Sequence, residues 1–218
     1  RELHIELQRR FDTEHNLRYF PEAGKDSDTE YVSTTKAYAS SLDYIQNKMK
    51  EKSGRIVQSY MECLNAAYNN KHVYFCANFY SEISEYLIHY TYTRLLAGSR
   101  IMFVLSDRDK MIALRKFIED SLSKLTPITD KCTWRVYTSN ERLDQADVVI
   151  ATPDDFKDDN IVENYPGFFE EVCNVIFIDA DRVVELDSYL CPVMAIRLLK
   201  ATSNRVRFIF LSQSGHCI

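Results

Sequence analysis

The stretch RIMFVLSDRDKMIALRKFIEDSLSKL, residues 100–125, decides the fold. Its first six residues are almost continuously apolar, which suits a strand buried on both faces rather than one with a wet side. From Arg108 onward, Met111, Leu114, Ile118, Leu122 and Leu125 recur at spacings of three and four, the period of an amphipathic helix. The same rhythm extends in both directions. Apolar runs lie at 72–77 (HVYFCA), 133–138 (TWRVYT), 147–152 (DVVIAT), 174–179 (NVIFID) and 205–212 (RVRFIFLS). Between the first run and Arg100, the segment Glu82–Ala97 places Ile83, Tyr86, Leu87 and Tyr90 on one helical face. Two-sided strands alternating with amphipathic helices predict a three-layer α/β domain, a parallel sheet with helices on both faces.

Upstream of the sheet the pattern differs. Residues 1–16 carry scattered apolar positions among charges, and 19–33 are rich in Pro, Gly, Asp and Glu, as in a loop or linker. Residues 34–69 read as helical with a break near Gly54, because KEKSGR has no apolar face. The expected organisation is an N-terminal helical extension with linker over residues 1–55 and the α/β domain over 56–218. With Arg1 at one end and a strand-like run just before Ile218, the chain reads as a piece of something longer.

Composition narrows the function. Of the 218 residues, 45% are hydrophobic and 27% charged, which supports a buried core and excludes global disorder. A net charge of −5 argues against a dedicated nucleic-acid binder, since phosphate affinity comes from Lys and Arg. Cysteines at 63, 76, 132, 173, 191 and 217 form no CxxC pair, so zinc spacing is absent. Several fall inside apolar runs, including Cys76 and Cys173, where a free thiol is expected to be a small core residue in a reducing compartment. No apolar run approaches the ~20 residues of a membrane helix, and no signal peptide is evident. The expected location is intracellular, cytoplasmic or nuclear. The five histidines show no HxxxH or HExxH spacing, and no GxSxG elbow is present.

In parallel sheets ligands sit beyond the carboxyl ends of the strands, so the residues there are the candidates. They include Ser106-Asp107-Arg108-Asp109, IATPDDF (150–156), VIFIDADRV (175–183) and FIFLSQS (208–214). This succession resembles the first RecA-like domain of superfamily-two helicases, the DEAD-box and related group, over about residues 56–215. IATPDDF resembles the strand–TPGRL element that touches the nucleic-acid backbone. VIFIDADRV resembles the Walker B strand with its DEAD or DEAH box, and FIFLSQS the Ser-Ala-Thr coupling element. LSDRDKMIALRKFI (105–118) is similar to the PTREL strand-to-helix junction, and MECLNAAYNNKHVYF (61–75) to the helix leading into the phosphate-loop strand.

The departures from that family carry as much meaning. A phosphate loop needs G-x-x-x-x-G-K-[ST], and the whole chain has only 5 glycines. The resemblance places Tyr80 and Glu82 at glycine positions and Ile83 at the lysine, with only Ser84 keeping its type. Side chains on Tyr80 and Glu82 would fill the phosphate's space, and Glu82 would repel it. In the Walker B element Asp179 survives, but the water-polarising glutamate is Ala180, and Asp181 falls where the family has a small residue. Ser212 and Ser214 keep two hydroxyls of the coupling element. Ser106, Arg108 and Thr152 match positions that contact the nucleic-acid backbone, yet Asp107, Asp109, Asp154 and Asp155 surround them, where a phosphate-binding surface would avoid acid. Tyrosine, with 14 copies, offers base stacking or protein contacts.

The resemblance therefore implies a helicase-like module without catalytic residues, bound nucleotide, cofactor or metal. It would act as a structural or protein-interaction domain. Its partner would be another protein or a second RecA-like lobe of the same chain; nucleic acid would bind weakly and membrane not at all. The alternative is a nucleic-acid-dependent ATPase with an atypical nucleotide site. A third possibility is an unrelated doubly wound binder of small molecules.

Overall fold

A computed structural model describes residues 66–67, 71–76, 84–125, 134–157, 161–186, 188–203 and 205–212. The expected N-terminal extension, the Gly54 break, and positions 80, 82, 83 and 214 lie outside these residues. The strands are β1 (Val73–Cys76), β2 (Arg100–Val104), β3 (Val136–Thr138), β4 (Val148–Ala151), β5 (Val172–Phe177) and β6 (Arg207–Ser212). They form one sheet in the order β1-β6-β5-β2-β4-β3, and every pairing is parallel. The described helices are α1 (Ser84–Leu96), α2 (Met111–Leu125), α3 (Ile161–Asn164), α4 (Pro166–Phe169), α5 (Ala180–Leu186) and α6 (Leu190–Ala201).

Strand period explains the layers. In β2, Ile101 and Phe103 join a cluster with Leu87, Tyr90 and Leu95 of α1 and Met111, Leu114, Ile118 and Leu122 of α2. Met102 and Val104 point the other way, into a cluster with Phe168 and Phe169 of α4, Val183 of α5 and Met194 and Leu198 of α6. Both faces of β2 are therefore dry, as its unbroken apolar run requires. All four residues of β4 are likewise fully buried. The spacing of Met111, Leu114, Ile118 and Leu122 turns one stripe of α2 to the sheet, and Ile112 on the opposite side is exposed.

One buried polar chain ties the first layer together. Arg94 of α1, only 1% exposed, lies over the Tyr90 ring, and its Nε donates to the Tyr90 hydroxyl at 3.1 Å. That hydroxyl donates in turn to Asn174 Oδ1 of β5 at 2.6 Å, and Arg94 Nη2 donates to the Ala67 carbonyl at 3.2 Å. Next to Asn174, burial pushes the Cys173 thiol pKa up and keeps the sulfur protonated.

One sequence expectation changes here. Cys76 is exposed, because β1 stands at the sheet edge and its side chains alternate between the core and solvent. Tyr90 and Tyr92 are buried at 1% and 7% exposure, so they pack the α1 face and offer no stacking platform.

Candidate functional site at the carboxyl ends of the strands

The direction in which the sheet is wound reverses between β2 and its parallel neighbour β5. The connection leaving β2 leads to β3 on one side of the sheet, and the connection leaving β5 leads to β6 on the other. Such a switch point opens a crevice at the carboxyl ends of the strands. Here the Ile178 amide donates to the Val104 carbonyl at 2.8 Å, and the Leu105 amide to the Ala151 carbonyl at 3.1 Å, so β5, β2 and β4 stay joined up to that rim.

On the β5 side, the strand ends at Phe177 and Asp179 adopts φ 51°, the left-handed region that Asp tolerates better than most residues. Its carbonyl accepts the Val183 amide at 3.0 Å and so begins α5. Ala180 follows with no exposure at all. Of the coupling-element hydroxyls, Ser212 is fully buried at the end of β6. Ser84, the first residue of α1, is buried at 5% exposure. Among the described residues no group of three or more His, Cys, Asp or Glu is arranged to hold a metal ion.

On the β2–β4 side, the structure brings Arg108 and Thr152 together around an acid. Arg108 Nη2 reaches Asp155 Oδ1 at 2.7 Å and Thr152 Oγ1 at 3.3 Å, while Nη1 donates to Asn140 Oδ1 at 3.1 Å. The other carboxylate oxygen, Asp155 Oδ2, accepts three hydrogen bonds. They come from the Thr152 amide at 2.7 Å, the Thr152 hydroxyl at 3.0 Å and the Ser139 hydroxyl at 2.7 Å. The Asp155 side chain is 8% exposed and that of Arg108 48%. Ser106, half-buried at the end of β2, stands outside this network.

Local chain geometry builds the cluster. Thr152 caps the 3₁₀ turn Pro153–Phe156, and with Asp155 it forms a reciprocal capping box, with Pro153 at the first turn position. The pattern Thr152-x-x-Asp155 carries that signal in the sequence. Ser139 and Asn140 had no such signal, since they arrive from the turn after β3. That turn is itself pinned by Glu141. Burial pushes the Glu141 carboxyl up, but the Thr138 amide and hydroxyl and the Arg115 guanidinium outweigh it and hold the pKa below 4.5.

The surrounding acids are partly neutralised in place. Lys110 pairs with Asp107 at 3.7 Å and Lys157 with Asp154, both at i,i+3. The rim is therefore close to neutral, and its guanidinium is already engaged.

Comparison with known proteins adds one finding. The chain superposes on a crystal structure of a hypothetical ATP-dependent RNA helicase from Sulfolobus tokodaii with a TM-score of 0.53 and 18% identity. The fold is RecA-like. The match covers 80% of this chain and 50% of the other, so the chain spans about half the length of that helicase. No protein-family model matches the chain, and the comparison with curated proteins found no match. Among the described residues no helix is long and apolar enough to cross a membrane.

Proposed function

We propose that this chain is a helicase-like RecA module that has lost ATP turnover and serves as a structural or protein-interaction domain. The observation that carries this is Ala180, a fully buried methyl group directly after Asp179, where the chain leaves the strand that resembles Walker B and enters α5. Hydrolysis needs a group there that orients and polarises the attacking water, and a buried alanine supplies no such group. In the sequence, Ile83 at the lysine position and Tyr80 and Glu82 at the glycine positions remove the phosphate cradle as well.

A protein partner, or a second RecA-like lobe, is favoured by exposed apolar side chains. Leu186 (61%), Tyr189 (81%) and Ile196 (54%) stand open on α5, α6 and the turn between them. Leu186 and Tyr189 also line an open depression with Val193, Lys157 and Arg197. Tyrosine in such a setting is typical of interface cores. A nucleic-acid-dependent ATPase with an atypical site is the alternative. It draws on Asp179, retained and held at φ 51°, since backbone strain at a strand end often accompanies a working site.

Phosphate release from ATP, with and without single-stranded RNA, separates the two. The expected result is release at the buffer rate under both conditions. RNA-stimulated release that is lost in Asp179→Ala would establish the ATPase instead.

A further inference from the structure

We infer that Asp155 is an internal counter-ion that occupies the place of a phosphodiester oxyanion and keeps the β2–β4 rim shut against nucleic acid. This rests on the proposal that the domain is a helicase-like module whose ligand sites have been closed. The geometry is that of an anion site with its anion already present. One guanidinium, two hydroxyls and one backbone amide converge on a single carboxylate, each 2.7–3.0 Å from it. The four donor groups come from three places in the chain: Arg108 after β2, Ser139 after β3, and the amide and hydroxyl of Thr152 after β4. A carboxylate 8% exposed and bonded in this way leaves no room for a second anion, and it cancels the charge that would attract one. Ser139 lies 16 positions from Asp155 and Arg108 lies 47, so these two bonds are tertiary contacts rather than by-products of the turn that supplies the two Thr152 bonds.

The lock accounts for two features together. Arg108 and Thr152 stand side by side, as backbone-contacting groups would, and yet the rim carries no free positive charge. Opening it requires only that the carboxylate lose its charge. Asp155→Asn keeps an oxygen for the Thr152 amide and the Ser139 hydroxyl but releases Arg108, because the amide end of asparagine cannot pair with a guanidinium.

Binding of a short single-stranded oligo-uridine, followed by fluorescence anisotropy at low salt, tests this. Asp155→Asn is expected to bind about tenfold more tightly than the parent, the scale of one charge-assisted contact. Its salt slope should steepen by about 0.7, the value of one added phosphate contact on a single strand. Adding Arg108→Gln to that variant should remove the gain. A folded Asp155→Asn protein that binds no better than the parent overturns the inference. Should the variant fail to fold, the parent protein still decides. Phenylglyoxal labelling of Arg108, read by peptide mass spectrometry, should be unaffected by excess oligo-uridine, and protection of Arg108 overturns the lock. Failure here leaves the ATP result untouched: a chain without turnover whose Asp155→Asn variant gains nothing has lost its rim in some other way, whereas turnover in the parent removes the module proposal itself.

Discussion

A glutamate at position 180 would have to enter a space where a methyl group is now wholly enclosed against the second core cluster. Burying a carboxylate without a partner is costly, so Ala180→Glu is expected to lower stability by about 2 kcal/mol or more and to leave ATP turnover absent. Chemical denaturation and phosphate release read the two parts separately. A stable variant that hydrolyses ATP would mean the site is disabled by one residue alone. His72 gives a second residue-scale expectation. The Phe208 amide donates to its Nδ1 at 3.1 Å, and the ring stacks on Phe208. Desolvation, and then the nearby Arg207 charge, lower its pKa from 6.5. The neutral imidazole belongs to the folded state, so its contribution is complete above pH 6.5 and is lost as pH falls through the lowered folded value. His72→Asn keeps an acceptor for the Phe208 amide without the titration. Its melting temperature should therefore fall less than the parent's on going from about pH 7.5 to about pH 5. An identical fall in both proteins would show that His72 does not titrate against folding.

At the scale of elements, β2 holds the two layers together, because successive residues serve opposite cores and β4 and β5 flank it on either side. Phe103→Ala should cost about 3–5 kcal/mol, as for other enclosed aromatic residues, whereas Ile112→Ala on the exposed side of α2 should change stability little. Equal effects in urea melts would contradict the assignment of faces. These faces were legible in the sequence, since the strand runs and the 111-114-118-122 spacing name the buried side chains directly. Edge position was not legible: β1 is as apolar as its neighbours in sequence, and only the sheet order exposes Cys76 and Tyr74. The strand ends were less exact as well. The run 174–179 became Val172–Phe177, because Asp179 turns the chain into α5 rather than extending the strand.

For the whole molecule, six parallel strands, and the described candidate residues near their carboxyl ends, follow from sequence order alone. What each candidate does there follows from tertiary contacts that no local pattern announces. Asp155 stood out in the sequence as an acid unfavourable to phosphate, but its bonds to Ser139 and Arg108 depend on three strands meeting at one rim. The central claim is that a RecA-like fold persists here without its nucleotide. Calorimetric titration of the chain with ATP and magnesium tests that most directly. The account predicts no saturable heat up to millimolar nucleotide, since on the proposed reading Tyr80, Glu82 and Ile83 stand in place of cradle and counter-charge, and a micromolar dissociation constant would contradict it.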